Sequence, residues 1–204
     1  MNLENIEIRQ IEEQDEKQII DICYETGGEN LKKIFPNPYL FGLLFCLYYV
    51  WYEKNNCFVA VDNKTGRVVG YIISSLDTTE QRKKFKFHMS KQLYENFRKL
   101  KKRSMKSRIF LHFIINRPTT NNQKRILKEY PAHLHIDIVP EFQRKGIGKK
   151  LIEHLEKYLK RMNIQGYHLE VDPKNIVGVS FYKKLRLELL NSNRFTLTFG
   201  KKMV

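Results

Sequence analysis

The sequence predicts an α/β protein built on a mixed sheet, and three observations carry this. Residues 133–139 alternate, with Leu134, Ile136 and Ile138 set against His133, His135, Asp137 and Val139, the period of a strand. Past Pro140 and a short glycine-bearing turn, Ile147, Leu151, Ile152, Leu155, Tyr158, Leu159 and Met162 recur at helical spacing. The same strand-then-helix order returns at Tyr167–Val171 and Asn175–Lys184, while strand pairs stand near both ends of the chain. Strand–helix alternation flanked by antiparallel pairs makes a mixed sheet covered by helices.

The elements follow in order. Ile6, Ile8 and Ile11 suggest a first strand, and Gln14–Tyr24 a helix with Ile19, Ile20 and Cys23 on one face, stopped at Gly27-Gly28. Pro36 and Pro38 lead into a second helix, Tyr39–Glu53. It is apolar almost all round, and so either packs wholly against the sheet or also lends aromatic rings to a pocket wall. Cys57–Val61 and Arg67–Ser75 form a hairpin about Asp62-Asn63-Lys64-Thr65-Gly66. Residues 79–107 carry eleven Lys/Arg against Glu80 and Glu95, with no Pro or Gly, and only Leu93, Phe97 and Leu100 marking a face. This reads as a helical, solvated basic insertion outside the core. Arg108–Asn116 is strand-like, Gln123–Glu129 a short helix, and Leu187–Leu190 with Arg194–Phe199 a closing hairpin.

Size and charge bound the function. A chain of 204 residues with 42% hydrophobic and 12% aromatic content suits one domain with a real core, here expected over 1–204. A net charge of +15 favours polyanions: a nucleotide-bearing cofactor, nucleic acid or an acidic surface. Cys23, Cys46 and Cys57 show neither a disulfide framework nor metal-ligand spacing, so reduced thiols and no metal are expected. Met1–Glu16 lacks a signal-peptide pattern, and the apolar run Tyr39–Tyr52 is too short to span a bilayer. A cytoplasmic protein, monomer or homodimer, is the expectation.

The turn carries the chemistry. Gln143-Arg144-Lys145-Gly146-Ile147-Gly148 follows a strand and opens a helix. Glycines let backbone N–H groups close on a ligand, and the helix N-terminus adds partial positive charge, a combination that binds phosphate or pyrophosphate. Arg144, Lys145, Lys149 and Lys150 add full charges. The same two glycines would also suit a helix start that needs small residues for packing. The spacing is neither G-x-G-x-x-G nor a Walker loop.

Q-x-x-G-x-G after a strand ending in Val139-Pro140 resembles the acetyl-CoA loop of the GNAT superfamily of N-acetyltransferases. Downstream, Asn175 to Leu185 (NIVGVSFYKKL) resembles the second signature of that family, with Arg186-Leu187 where Gly-Phe is usual. Gly70–Ile73, Leu76–Thr78 and above all Tyr130–Asp137 resemble the branch that includes the acetyltransferase-like domain of O-GlcNAc hydrolases. The resemblance implies a mixed, mostly antiparallel sheet whose central strands splay to admit the cofactor. It places pantetheine along Ile138 and Val139 and the pyrophosphate on the amides of Arg144, Lys145, Gly146, Ile147, Gly148 and Lys149 beside Gln143. Asn175 and Phe181 would contact the pantetheine arm.

Acetyl transfer needs the acceptor amine neutral, against an ordinary alkylammonium pKa of about 10, and a proton for the leaving thiolate. Tyr182 matches the family tyrosine that often protonates the sulfur, a role suited to a neutral phenol. For the base Asp137 is favoured, since Asp is uncommon in strand interiors, against a purely structural role there; His135, with the better intrinsic pKa, is the runner-up. Asp77 and His112 are weaker candidates suggested by the resemblance. The expected activity is acetyl transfer to a small-molecule, peptide or lysine amine. The alternative is a protein that binds acetyl-CoA without turning it over. A nucleic-acid partner is not expected, since residues 79–107 hold few aromatics and no RNA-binding motif.

Overall fold

The computed structural model describes residues 5–100 and 104–203. Seven strands form one sheet in the order β1-β2-β3-β4-β5-β7-β6. They are β1 Ile6–Gln10, β2 Phe58–Asp62, β3 Arg67–Ser75, β4 Ala132–Ile138, β5 Gly166–Val171, β6 Glu188–Ser192 and β7 Leu197–Lys202. All pairings are antiparallel except β4 with β5, which run parallel and pair only at Ala132↔Tyr167 and His133↔His168. Beyond those two rungs the strands part, and the edge of β4 from Leu134 onward is open. This is the splayed, mixed sheet that the sequence predicted.

Period-two alternation sorts the strand residues onto two cores. Val59, Val61, Val68, Tyr71 and Ile73 pack beneath α1 Glu16–Thr26, α3 Pro38–Phe45, α4 Leu47–Tyr52 and α5 Thr78–Arg98. Phe58, Ala60, Val69, Ile72, Leu134 and Leu169 face α8 Ile147–Arg161 and α9 Ile176–Lys184. The odd residues of β4, His133, His135 and Asp137, therefore share the α1/α3–α5 face with His168 and Glu170 of β5. The three cysteines are buried and free.

Three elements differ from the sequence expectation. The stretch 39–53 is two helices, because Cys46 leaves helical geometry at φ −132°. Residues 108–115 are helix, within α6 Met105–Ile115 and closed by Asn116, rather than strand. Ser104 caps its first turn, and Ser107, Leu111 and Ile115 bury one face at four-residue spacing. A β-branched apolar run fits either period, and packing against the neighbouring core chose the helix. Its opposite face leaves Met105, Ile109 and Phe113 exposed.

The basic segment is helical as expected, but it is not outside the core. In α5, Phe85, Met89, Leu93 and Phe97 recur every four residues and are buried with α3 and α4. The sequence showed only half of this stripe against a dense background of Lys. Lys101, Lys102 and Arg103 of that segment lie outside the described residues. Leu93 is fully buried, so Leu93→Ala should destabilise the protein by about 2–5 kcal/mol in urea unfolding, the range for a truncated core leucine. A loss within 0.5 kcal/mol would mean that α5 is peripheral after all.

Candidate active site

The splay between β4 and β5 meets the cofactor-type turn at its open end. Val139 and Pro140 end β4 in a helical turn, Pro140–Phe142, and the side chain of Gln143 folds back to donate from Nε2 to the Ile138 carbonyl at 2.9 Å. Gln143 thus braces the turn against the strand. Arg144 (φ 58°) and Gly146 (φ 85°) both take left-handed conformations, reversing the chain so that α8 begins with its amides facing the splay. A Cβ on Gly148 would lie 3.0 Å from a Phe181 ring carbon and 3.2 Å from Ile138 Cδ1, so glycine is what lets α8 close on α9 and β4. Arg144 and Lys149 are exposed here, Lys149 only loosely paired with Glu153 at 3.7 Å. Lys145 donates to the carbonyl of Glu141.

On α9, Asn175 caps the helix by accepting from the Gly178 amide at 2.9 Å. Phe181 is half-buried between α8 and α9, and the Tyr182 ring is buried against Phe199. The Tyr182 hydroxyl has no hydrogen-bond partner among the described residues, yet no fully buried polar side-chain atom there lacks one. The hydroxyl therefore reaches solvent from a buried ring. Burial, and then the charge of Asp137, hold its proton well above the ordinary phenol range, so it is a neutral donor at any physiological pH.

Asp137 stands opposite Tyr71 across the β3–β4 ladder and accepts its hydroxyl at 2.5 Å. Desolvation raises the carboxyl pKa, while the hydroxyls of Tyr71 and Thr26 oppose that shift.

Two residues along β4, the tautomers can be worked out from partners alone. Thr78 Oγ1 donates to the Pro131 carbonyl at 2.7 Å, so at 2.8 Å it accepts from Nδ1–H of His133. His133, kept neutral by burial, then takes the Tyr49 proton at Nε2 over 2.7 Å. The Tyr49 oxygen in turn accepts Nε2–H of His135 at 3.3 Å. Nδ1 of His135 is left as a bare acceptor. His135 is exposed at this point of the strand. Desolvation pushes its pKa down to about 4, which keeps it neutral but makes it a weak base. Beside it Arg117 grips Glu170 with one nitrogen at 2.7 and 2.9 Å.

The chain thus combines a strand, a left-handed glycine turn, a helix N-terminus and a splayed sheet. Residues 28–186 match the profile of the acetyltransferase (GNAT) family. The chain belongs to this family. As a GNAT protein its cofactor is acetyl-CoA and its chemistry acyl transfer. The fold is shared with SsHAT, 22% identical over 98% of this chain and 99% of that one, at a TM-score of 0.83. It is shared too with the PaiA N-acetyltransferase of Thermoplasma acidophilum crystallised with coenzyme A, at 16% identity, 97% and 98% coverage and a TM-score of 0.59. An agmatine N-acetyltransferase aligns at 14% identity over 97% and 99%, with a TM-score of 0.58.

The residues present fit the GNAT cofactor. The N-terminal amides of α8 and the charges of Arg144 and Lys149 suit a pyrophosphate, and the absent Cβ at Gly148 lets that helix start pack close to Phe181 and Ile138. Of the weaker candidates, Asp77 caps α5 by accepting from the amides of Thr79 and Glu80. His112 lies exposed on α6, bonded to Asn116. Tyr49 stood in the sequence only among the aromatic rings that could wall a pocket, and Tyr71, Arg82, Arg117 and Glu170 were given no site role. Only Glu170, a charge inside an otherwise apolar strand, left a local signal.

Proposed function

We propose that this GNAT chain is one catalytic domain over 1–204 that acetylates an amine, with Tyr182 as general acid and Asp137 as general base. The observation that carries it is the Tyr182 hydroxyl, unpartnered on a buried ring and within electrostatic reach of Asp137. Bound acetyl-CoA supplies the acyl thioester and, as it is cleaved, a thiolate leaving group. Asp137 takes the proton that the amine must lose to attack, its carboxyl made more basic by desolvation and kept in place by Tyr71. Tyr182 Oη gives the proton that the departing sulfur needs.

Ile138 and Val139 would hold the pantetheine, residues 144–149 beside Gln143 would hold the pyrophosphate, and Asn175 and Phe181 would contact the pantetheine arm. His135 is a hydrogen-bond acceptor for the incoming amine rather than its base, given its low pKa. The free, reduced-type thiols support a cytoplasmic home, and the branch resembled by Tyr130–Asp137 supports a stand-alone relative of the O-GlcNAc hydrolase-associated domain. The test is thiol release from acetyl-CoA over a broad amine panel. Thermal stabilisation by acetyl-CoA without turnover on any amine would favour a binding-only protein.

Asp137→Asn should leave acetyl-CoA binding intact and slow turnover. In the wild type the rate should fall as pH drops through the raised carboxyl pKa, because the base becomes protonated. In the variant that limb should vanish, and the defect should shrink at high pH, where the amine deprotonates unaided. Parallel pH–rate profiles for the two proteins would remove Asp137 as base.

A further inference from the structure

One charge beside this face of β4 is left over. Arg82 sits one turn beyond Thr78 on α5, so both face the His133 end of β4. Its guanidinium donates from one nitrogen to Thr119 Oγ1 at 2.9 Å. Among the described residues, no carboxylate pairs with it and nothing engages its remaining donors. The nearby acid, Glu170, is already held by Arg117. Arg82 is only partly exposed, and burial, then the neighbouring Arg117 charge, lower its pKa against the opposing pull of Glu170. Tyr49, His133 and His168 around it supply no charge, since both histidines are held neutral by desolvation.

This face of β4 is thus polarised along the strand. A carboxylate, Asp137, stands at the cofactor end, and a surplus guanidinium, Arg82, stands near His133, four residues or about 13 Å of strand away. A guanidinium fork left with free donors in a partly dehydrated site is built to take a planar anion in two hydrogen bonds. We propose that Arg82 binds a carboxylate of the acceptor, so that the substrate class is an amine bearing a carboxylate at a distance from the reacting nitrogen. This rests on the N-acetyltransferase reading above, with Asp137 at the amine and Arg82 at the acid. Bare alkylamines and polyamines meet an unanswered positive charge at that end and are poor acceptors.

The probes are ω-amino acids from glycine to 6-aminohexanoate, each set beside the n-alkylamine of equal chain length. Thiol release gives kcat/KM, and calorimetry measures binding of the N-acetylated products independently of turnover. The expected result is a preference of at least tenfold for the best ω-amino acid over its alkylamine. It should fall to near unity in Arg82→Gln and be partly kept in Arg82→Lys, which retains charge but not the fork. Equal use of both series by the wild type, or an unchanged preference in Arg82→Gln, overturns the proposal. If no amine is turned over, the catalytic reading fails separately, and product binding still decides. N-acetyl-ω-amino acids binding at least tenfold more weakly to Arg82→Gln upholds the carboxylate site, and equal or absent binding removes it.

Discussion

Tyr182→Phe should keep acetyl-CoA affinity within a few-fold of wild type and lower kcat by roughly 10²–10⁴, the range for a lost acid–base group. The ring packs against Phe199 and lies beside Phe181, and phenylalanine preserves both contacts. Only the hydroxyl is removed, and it makes no hydrogen bond within the described protein, so folding loses little. A fall in kcat with KM for acetyl-CoA nearly constant marks a group that acts only as the bond breaks. Unchanged turnover would show that the sulfur leaves unprotonated or takes its proton from water.

Gly148→Val should abolish stabilisation by acetyl-CoA, read as loss of the cofactor-induced rise in Tm. The first added carbon already meets Phe181 at 3.0 Å and Ile138 at 3.2 Å, and the valine methyls must go further into the same gap. Both neighbours are themselves packed, so the N-terminus of α8 must shift away from the splay. That displaces the amides on which the pyrophosphate would rest. Overpacking of this kind costs about 1–3 kcal/mol, leaving a folded protein in which the missing ligand response can be measured. Normal acetyl-CoA binding by this variant would remove residues 143–149 from the cofactor site.

The two predictions draw on parts of the molecule that were legible to different degrees. The turn at 143–148 and the helix that follows are contiguous, and anion binding by a helix N-terminus depends on a few adjacent amides. Its anion-binding character and the strand carrying Asp137 could therefore be read from spacing, whereas Tyr182 was singled out only by its match to the second GNAT signature. The α5 stripe was hidden because Phe85 and Met89 stand among lysines, where composition outweighs period. The 108–116 segment was misassigned because Ile-Phe-Leu and Ile-Ile suit a buried strand and a packed helix alike, and only the neighbouring core distinguishes them.

By itself, then, the chain order determined the α/β class, the glycine turn and the strand–helix units around it, since each depends on residues within a turn or two of one another. The acceptor side was decided only in three dimensions. Tyr49, Tyr71, Arg82, His135 and Glu170 come from five elements and Arg117 from the loop after α6, and no spacing relates them. The β3–β4 register puts Tyr71 opposite Asp137, the two-rung β4–β5 pairing opens the splay, and the packing of α5 turns Thr78 and Arg82 toward His133. What those groups can do follows from which protons and charges remain unpaired once all are assembled, and that is a property of the folded whole.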